Sequence, residues 1–506
     1  MDYQFPSFPV LLGFLVFIFM LLRIWRKSRD KKSNSVSPPG PWKLPLIGNM
    51  HQMIGSLPHR RLRDLATKYG PIMHLQLGEV STVIFSSPEV AKEVLKTNDI
   101  KFATRPYSLA ADIISYNIKN IGFAPYGEYW RQMRKICTME IFSDRRVQAA
   151  RPIREEEVLE FIKSISLKVR SKINLSEMLT GLTFAITMKA AFGGVSERHE
   201  AFVPLIREIM EVAGGFSLAD MFPSIKFFHT ISGMRTRLER LHREIDKIFE
   251  SLINEHKFNR SRIDSSDANN FLDILLNLQE HGDFSFTIDN IKAVVLDIFI
   301  AGTDTSAITL EWAMSELLKN PRVIAKAQTE VREVFDKKGY VDEAGLEELE
   351  FLRAVIKETL RLHPPGPLLA PRECRERCQI NGYEIPEKTH IIINAWAIGR
   401  DPNYWIEAER FYPERFLDSS IDYKGNNFEY LPFGAGRRMC PGISFGIANI
   451  ELPLAQLLYH FDWKLPDNIK QEDLDMTECF GIVVTRKSDL VLIPIPYNSP
   501  VVEENK

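Results

Sequence analysis

Cysteine is scarce in this chain: Cys137, Cys374, Cys378, Cys440 and Cys479 are the five among 506 residues. An odd handful without a CxxC pair excludes a disulfide framework and gives no zinc or thioredoxin-like signature. The body of the chain therefore reads as reduced and cytosolic. Charge of one sign is also missing. Lys and Arg number 64 against 66 Asp and Glu, a net −2, which removes the electrostatic ground for nucleic acid as a partner. No GxGxxG follows a strand, so the chain offers no dinucleotide site of its own. Internal repeats and low-complexity tails are absent too, which excludes solenoids and disordered arms. Apolar residues are not scarce: at 45% of the chain they suffice for a large core.

One hydrophobic run stands apart. Residues 8–22 carry no charge, and the run extends to Trp25 if Arg23 snorkels to the interface. No small-residue cleavage site follows, and Arg23, Arg26, Lys27, Arg29, Lys31 and Lys32 form a basic flank. These features favour a membrane anchor over a cleaved signal, with everything after it on the cytosolic side. Ser37-Pro-Pro-Gly-Pro-Trp42 then reads as a stiff spacer. The expected division is an anchor helix over 1–25, a basic, proline-rich linker over 26–44 and one large domain over 45–506.

Within that domain the segments near 72–86 and 389–395 alternate or run apolar as strands do. Helical periodicity dominates elsewhere, most clearly over 147–169, 234–256, 288–319 and 346–362, while the polar stretch 255–270 reads as a surface loop. The expected class is mainly α with a minor β region.

The chemistry concentrates in Phe433-Gly-Ala-Gly-Arg-Arg-Met-Cys-Pro-Gly442. Three glycines and a proline around one cysteine describe a tight loop whose backbone approaches something large and flat. A helical pattern starts at Ile443, so Cys440 sits just ahead of a helix N-terminus, with Arg438 nearby; both favour a thiolate. Taken alone, such a cysteine is a nucleophile, a metal ligand or a buried thiol.

The full string resembles the haem-binding signature F-x-x-G-x-R-x-C-x-G of the cytochromes P-450, met at Phe433, Gly436, Arg438, Cys440 and Gly442. Further motifs of that family follow its order along nearly the whole chain. Ala301-Gly-Thr-Asp-Thr-Ser306 lies in the helical run from Ile288; alone it reads as a bent core helix, since glycine and threonines lower helix propensity. Beside a haem, Ala301 and Gly302 leave room for dioxygen, and the resemblance gives Asp304 and Thr305 the catalytic protonation roles. Glu358-Thr-Leu-Arg361 is uninformative by itself, since Glu407 to Arg410 also fits ExxR. Followed by Pro413-Glu-Arg-Phe416, it implies a buried structural network of Glu358, Arg361 and Arg415.

The resemblance further implies cofactor contacts by Trp130, Arg134, Arg372, Arg438, Phe433, Gly434 and Ala301, with Cys440 as the axial iron ligand of haem b. Trp130-Arg-Gln-Met-Arg134 alone is a surface helix with a half-buried tryptophan. Cys374 and Cys378 lack the His or second Cys pair a zinc site needs. The other cysteines apart from Cys440 have no family role.

PPGPWKLPLIGN, AGTDTS, FGAGRRMCPG and Asp475-Met-Thr-Glu-x-Phe-Gly481 are similar to plant A-type microsomal members, above all terpenoid oxidases of the premnaspirodiene oxygenase kind. This implies a single large haem domain of the P-450 fold behind one transmembrane helix, located at the endoplasmic reticulum membrane. Electrons come from NADPH through a separate NADPH–cytochrome P-450 reductase. The implied pocket segments are 103–123, 205–230, 297–305, 367–370 and 479–484. Their apolar residues Ile121, Ile298, Ala301, Leu368, Leu369, Ile482 and Val483 suit a small lipophilic substrate. A terpenoid fits that lining, and an alkaloid or flavonoid fits it nearly as well. Gly214-Gly-Phe216 and Phe227-Phe228 read equally as a membrane-dipping entry route or as core. The rival readings are a reductase-independent haem–thiolate isomerase, against which the intact Asp304-Thr305 pair speaks, and a non-enzymatic haem protein, for which no output domain is present.

Overall fold

The computed structural model describes residues 36–55, 57–194, 199–214, 218–225, 233–260, 270–281, 286–467 and 469–497. The expected anchor, the first part of the linker, and Gly215, Phe216, Phe227 and Phe228 lie outside these residues.

The principal helices are α1 (Pro58–Tyr69), α2 (Glu128–Ile136), α3 (Arg151–Ser166), α4 (Leu175–Phe192), α5 (His199–Ala213), α6 (Met234–Arg260), α7 (Phe271–His281), α8 (Ile288–Gly302), α9 (Asp304–Lys319), α10 (Pro321–Phe335), α11 (Glu350–Leu362) and α12 (Ile443–His460). Their ends follow local chemistry. Asn174 caps α4 by accepting from the Glu177 N–H, and Gly193 ends that helix in the left-handed region at φ 78°. Thr287 and Asn290 form a reciprocal capping box on α8. Pro321 opens α10, and the Pro364-Pro365 pair follows α11.

The sheet that matters for the site contains β1 (Ile72–Leu77), β2 (Val80–Phe85), β3 (Arg372–Glu373) and β4 (His390–Ile393), side by side in the order β1-β2-β4-β3. β1 and β2 are antiparallel, with Ile72 opposite Phe85, whereas β2 runs parallel to β4, with Thr82 opposite His390. The expected strand segment 72–86 is thus a hairpin, turning at Gly78, which adopts φ 61° and where a Cβ would meet the Met221 carbonyl oxygen at 2.5 Å.

Four expectations change. The helix expected from 346 begins at Glu350, because Glu343–Glu348 forms a separate 3-10 turn closed by the Leu349 N–H on the Leu346 carbonyl. The run 147–169 is two helices: Asp144–Ala149 stops and α3 restarts at Arg151, with Pro152 in its first turn. The helix expected over 234–256 continues to Arg260, so the surface loop expected from 255 does not begin there. Ile253 is buried, and His256 Nε2 lies 2.7 Å from Asp273 Oδ1 on α7, which holds the extra turn. The run 288–319 is interrupted at Thr303, whose ψ of −69° lies at the edge of the right-handed helical region.

At the centre lies α9, buried from Ser306 to Leu318 and packed against α4, α11 and α12. With α8 it forms the one stretch among the described residues long and apolar enough to cross a membrane, yet 67% of that window is buried inside the protein. It is a core element.

Candidate functional site

The Cys440 loop is shaped by glycines where no other residue fits. Gly434 and Gly436 sit at φ 70° and 71°, and a Cβ on Gly436 would come within 2.0 Å of the Leu95 carbonyl oxygen and 2.9 Å of Asp99 Oδ1. The Cys440 N–H donates to the Phe433 carbonyl at 3.0 Å, closing the loop on itself. Two residues past the cysteine, Gly442 precedes the first turn of α12. Burial pushes the Cys440 thiol up, while the Gly442 N–H and the Arg134 guanidinium pull it back. Although protein surrounds it, Cys440 keeps accessible surface, so that surface faces an internal space.

Cations converge beside this loop. Arg372 donates to Asp99 Oδ1 at 2.8 Å and to the Ala435 carbonyl at 2.9 Å. Arg438 donates from Nε to the Ala103 carbonyl at 2.7 Å and from Nη1 to the Ile121 carbonyl at 3.2 Å. Its guanidinium lies 4.1 Å from the centre of the Trp130 ring, and the Trp130 indole donates to the same Ile121 carbonyl at 3.1 Å. Arg105 joins them, donating to the Gly122 and Pro371 carbonyls at 3.0 and 2.8 Å. Burial first, and then the neighbouring guanidinium groups, push Arg105 well below the ordinary arginine range and Arg438 down to about 9. Arg372 and Arg134 are lowered by burial as well. The carboxylate within reach is Asp99, which also serves Arg437. Positive charge buried in this excess calls for an anionic ligand.

The opposite wall is the broken centre of α8–α9. Ala301 is exposed although Ile298 and Phe299 are 3% and 0% accessible. Thr305 Oγ1 donates back to the Ala301 carbonyl at 2.6 Å, a contact that bends helices, and the Thr303 and Ser306 hydroxyls are buried without partners. Burial raises the Asp304 carboxyl, with Arg207 opposing. The two walls meet: a Cβ on Gly302 would lie 3.8 Å from the Phe445 ring, and one on Gly446 would lie 4.0 Å from Ser306 Oγ. Phe445 and Gly446 belong to the first turn of α12, just beyond Cys440.

A thiol loop, a cation cluster and a break in the facing helix on one internal space are features of a known architecture. The family model described as Cytochrome P450 matches residues 38–493. The chain belongs to the cytochrome P450 family. It is an oxidoreductase, a monooxygenase. It is 53% identical over 499 residues to premnaspirodiene oxygenase of Hyoscyamus muticus, covering 98% of this chain and 99% of that one. To tabersonine 16-hydroxylase 2 of Catharanthus roseus it is 52% identical, covering 98% of both, and to salviol synthase of Salvia pomifera 48%, again covering 98% of both. A zebrafish cytochrome P450 structure with abiraterone superposes at TM-score 0.75 with 24% identity, over 87% of this chain and 99% of that one; that likeness supports the fold.

The family implies haem, and the residues of this P450 fit it. Cys440 offers one soft ligand to an open space, and Arg105, Arg134, Arg372 and Arg438 offer countercharge to two propionates. Trp130 hydrogen-bonds Ile121 rather than reaching outward, and its ring supports Arg438. Phe433 packs edge-on against Tyr423 at 5.4 Å.

The pocket residues expected from sequence converge in part. Ile121 is held against α8, where Asp297 Oδ2 accepts from the Ile121 and Gly122 N–H groups at 2.8 and 2.9 Å. Leu369 approaches the Cys440 loop, since a Cβ on Gly434 would lie 3.7 Å from its Cδ1, whereas Ile482 meets Gly214 only through its backbone nitrogen and its side chain is exposed. Val483 packs against the main core. Leu368 instead packs into a separate cluster with Met221, Phe222 and Ile392. A polar cleft of about 500 Å³ lined by Asp112, Tyr116, His242, Asp246 and Lys292 shares no lining residue with this site.

Arg105, Asp99 and Asp297 escaped the sequence reading. Asp297 left a trace, as one acid within the apolar run Val294-Val-Leu-Asp-Ile-Phe299. Its carboxyl, pushed up to about 6 by burial against the pull of the Gly122, Asn120 and Ile121 donors, fixes the loop whose Ile121 carbonyl holds Trp130 and Arg438. Asp297→Ala strands those donors and should destabilise the fold by about 1–3 kcal/mol. Thermal unfolding of the holoprotein checks this, together with the rate of haem transfer to a scavenger; an unchanged transfer rate would separate Asp297 from the cofactor seat.

Proposed function

We propose that this P450 oxidises a lipophilic plant specialised metabolite, a sesquiterpene or diterpene by first preference, using dioxygen and electrons from NADPH delivered by a separate reductase. The observation behind the reading is the packing of the Gly302–Ser306 break on the first turn of α12, just past the Cys440 loop. The apolar residues Ile121, Ile298, Leu369 and Val483 favour a hydrocarbon held by shape. Identity to premnaspirodiene oxygenase supports the terpenoid choice, and similar identity to tabersonine 16-hydroxylase 2 supports an alkaloid as the second. The reading includes the anchor over 1–25, in the endoplasmic reticulum membrane with the catalytic domain on the cytosolic face.

Held by Cys440, haem supplies the reductive activation of dioxygen, and the thiolate sulfur donates electron density to it. The chain's own residues do the rest. Arg105, Arg134, Arg372 and Arg438 bind the propionates and set the orientation of the ring. Ala301, small and exposed, would leave room for dioxygen. Thr305 Oγ1, tied to the Ala301 carbonyl, is positioned to pass a proton into that space. Asp304, its carboxyl raised by burial, is the neighbouring acid that would replenish the hydroxyl.

Thr305→Ala should retain haem while product formed per NADPH falls about 10-fold or more, the remainder appearing as hydrogen peroxide. Parallel assays of NADPH oxidation, product and peroxide, reconstituted with reductase, measure this; unchanged coupling would remove Thr305 from the mechanism. The substrate class is tested by spectral titration of the haem protein with terpene hydrocarbons and with indole alkaloids, followed by turnover. Turnover of the alkaloids alone would overturn the terpenoid choice, and peroxide rearrangement without reductase would overturn the monooxygenase reading.

A further inference from the structure

Cys374 and Cys378 take no part in the site above, yet their surroundings are specific. Both are buried, at 0% and 8% accessibility, and their sulfurs lie 3.8 Å apart, in contact. Cys374 directly follows β3 and Cys378 opens the strand Cys378–Ile380. The turn between them is docked on the segment Asp99–Phe102. Arg375 N–H donates to the Lys101 carbonyl at 2.8 Å, Arg375 Nη1 donates to the Ile100 carbonyl at 3.3 Å, and Lys101 Nζ lies 3.5 Å from Glu376. With the turn fixed at both ends, the two thiols are held facing each other. Bonding them requires the sulfurs to close by roughly 1.8 Å, shared between two side-chain rotations, to reach about 2.05 Å.

We propose that Cys374 and Cys378 form a peroxide-sensitive dithiol that closes reversibly to a disulfide. Cys378 Sγ attacks one oxygen of hydrogen peroxide; the O–O bond breaks, water leaves and Cys378 becomes a sulfenic acid. Cys374 Sγ then attacks that sulfur, the S–O bond breaks, the S–S bond forms and a second water leaves. The two thiols lose two electrons and two protons, and one peroxide becomes two waters. The order of attack follows from the environment. Cys374 Sγ donates to the Glu376 carbonyl at 3.0 Å, which holds it as the thiol, whereas contact with Cys374 and then nearby Lys101 favour thiolate at Cys378. Closure would be felt at the haem site, because β3 carries Arg372 and the docked segment carries Asp99, its partner.

The test adds graded hydrogen peroxide to the full-length haem-loaded protein in membranes, then alkylates free thiols and digests with trypsin. Cleavage after Arg372, Arg375, Arg377 and Lys388 leaves Glu373-Cys-Arg375 joined to the peptide 378–388. This linked species should form at least about 10-fold faster than any oxidation of buried Cys137 and should vanish with dithiothreitol. Cys374→Ser should halt Cys378 at a sulfenic acid trapped by dimedone, and Cys378→Ser should leave Cys374 reduced. Oxidation of either cysteine to sulfinic or sulfonic acid without the linked species would overturn the proposal. So would a pair that stays fully alkylatable at peroxide levels that modify exposed Cys479. Because the wild-type chain alone gives that answer, it survives poor folding of either variant, and the use of added peroxide separates it from the reading of the activity.

Discussion

Cys440→Ser is expected to give a folded chain whose reduced, carbon monoxide-treated spectrum has lost the strongly red-shifted Soret band of thiolate-bound haem, with turnover abolished. The loop should survive the change, because what closes it is backbone: the Cys440 N–H to Phe433 contact, the positive-φ turns at Gly434 and Gly436, and Arg372 on the Ala435 carbonyl. None of these uses the sulfur. What is lost is a soft sulfur ligand, and a serine hydroxyl cannot replace it at an iron centre. The cation cluster stays, so residual haem is expected, held by its propionates and showing a spectrum of another ligand type. A variant that retained the thiolate-type band would exclude Cys440 as the axial ligand. A variant that failed to fold at all would instead assign the sulfur to packing, an outcome distinguished by far-ultraviolet circular dichroism.

The chemistry of the Cys440 loop was legible because glycine, arginine, cysteine and proline at fixed spacing act within ten residues of one another. The break in α8–α9 was legible as low helix propensity over Gly302 to Ser306, though not its position at Thr303, which depends on where Thr305 bonds back. Arg105 and Asp99 were invisible for a different reason. Their partners, Pro371, Arg372 and the Gly436 turn, are hundreds of positions away, and nothing local marks a cation as buried. The division of 147–169 at Ala150 was present in the sequence as Pro152, but helical periodicity outweighed it. Conversely the helix through Arg260 looked too polar to continue and is held by His256 reaching Asp273 on another helix. Local rules located the reacting groups, and long-range pairing located the groups that hold them.

The exposed ExxR at Glu407 to Arg410 is an internal control for the buried one at Glu358 to Arg361. Glu358 and Arg361 are each at 0% side-chain accessibility and bonded twice, at 2.7 and 2.8 Å. Arg415 adds a bond to Glu358 Oε1 at 3.0 Å, and the Tyr412 N–H adds another at 2.8 Å. Arg361 also binds the Gly399 and Ala408 carbonyls at 2.6 and 2.7 Å, so the network ties α11 to the long segment that leads into the Cys440 loop. Glu358→Ala leaves two guanidinium groups without countercharge in the interior, an expected loss of about 3–5 kcal/mol. Against a total stability of about 5–15 kcal/mol that is a large fraction, and haem-loaded protein should fall severalfold or vanish. Glu358→Gln should do little better, because its amide N–H₂ would point at groups that are themselves donors. Glu407 and Arg410 carry the same spacing with the same kind of contact, 2.9 Å, but at 55% and 54% accessibility. Solvent already screens that pair, so Glu407→Gln should cost less than about 1 kcal/mol. Denaturant unfolding of the two glutamine variants, with the thiolate-band amplitude measured alongside, puts the argument at risk directly. Equal losses would mean that spacing matters and burial does not, and a stable, fully loaded Glu358→Gln protein would remove the network from the support of the Cys440 loop.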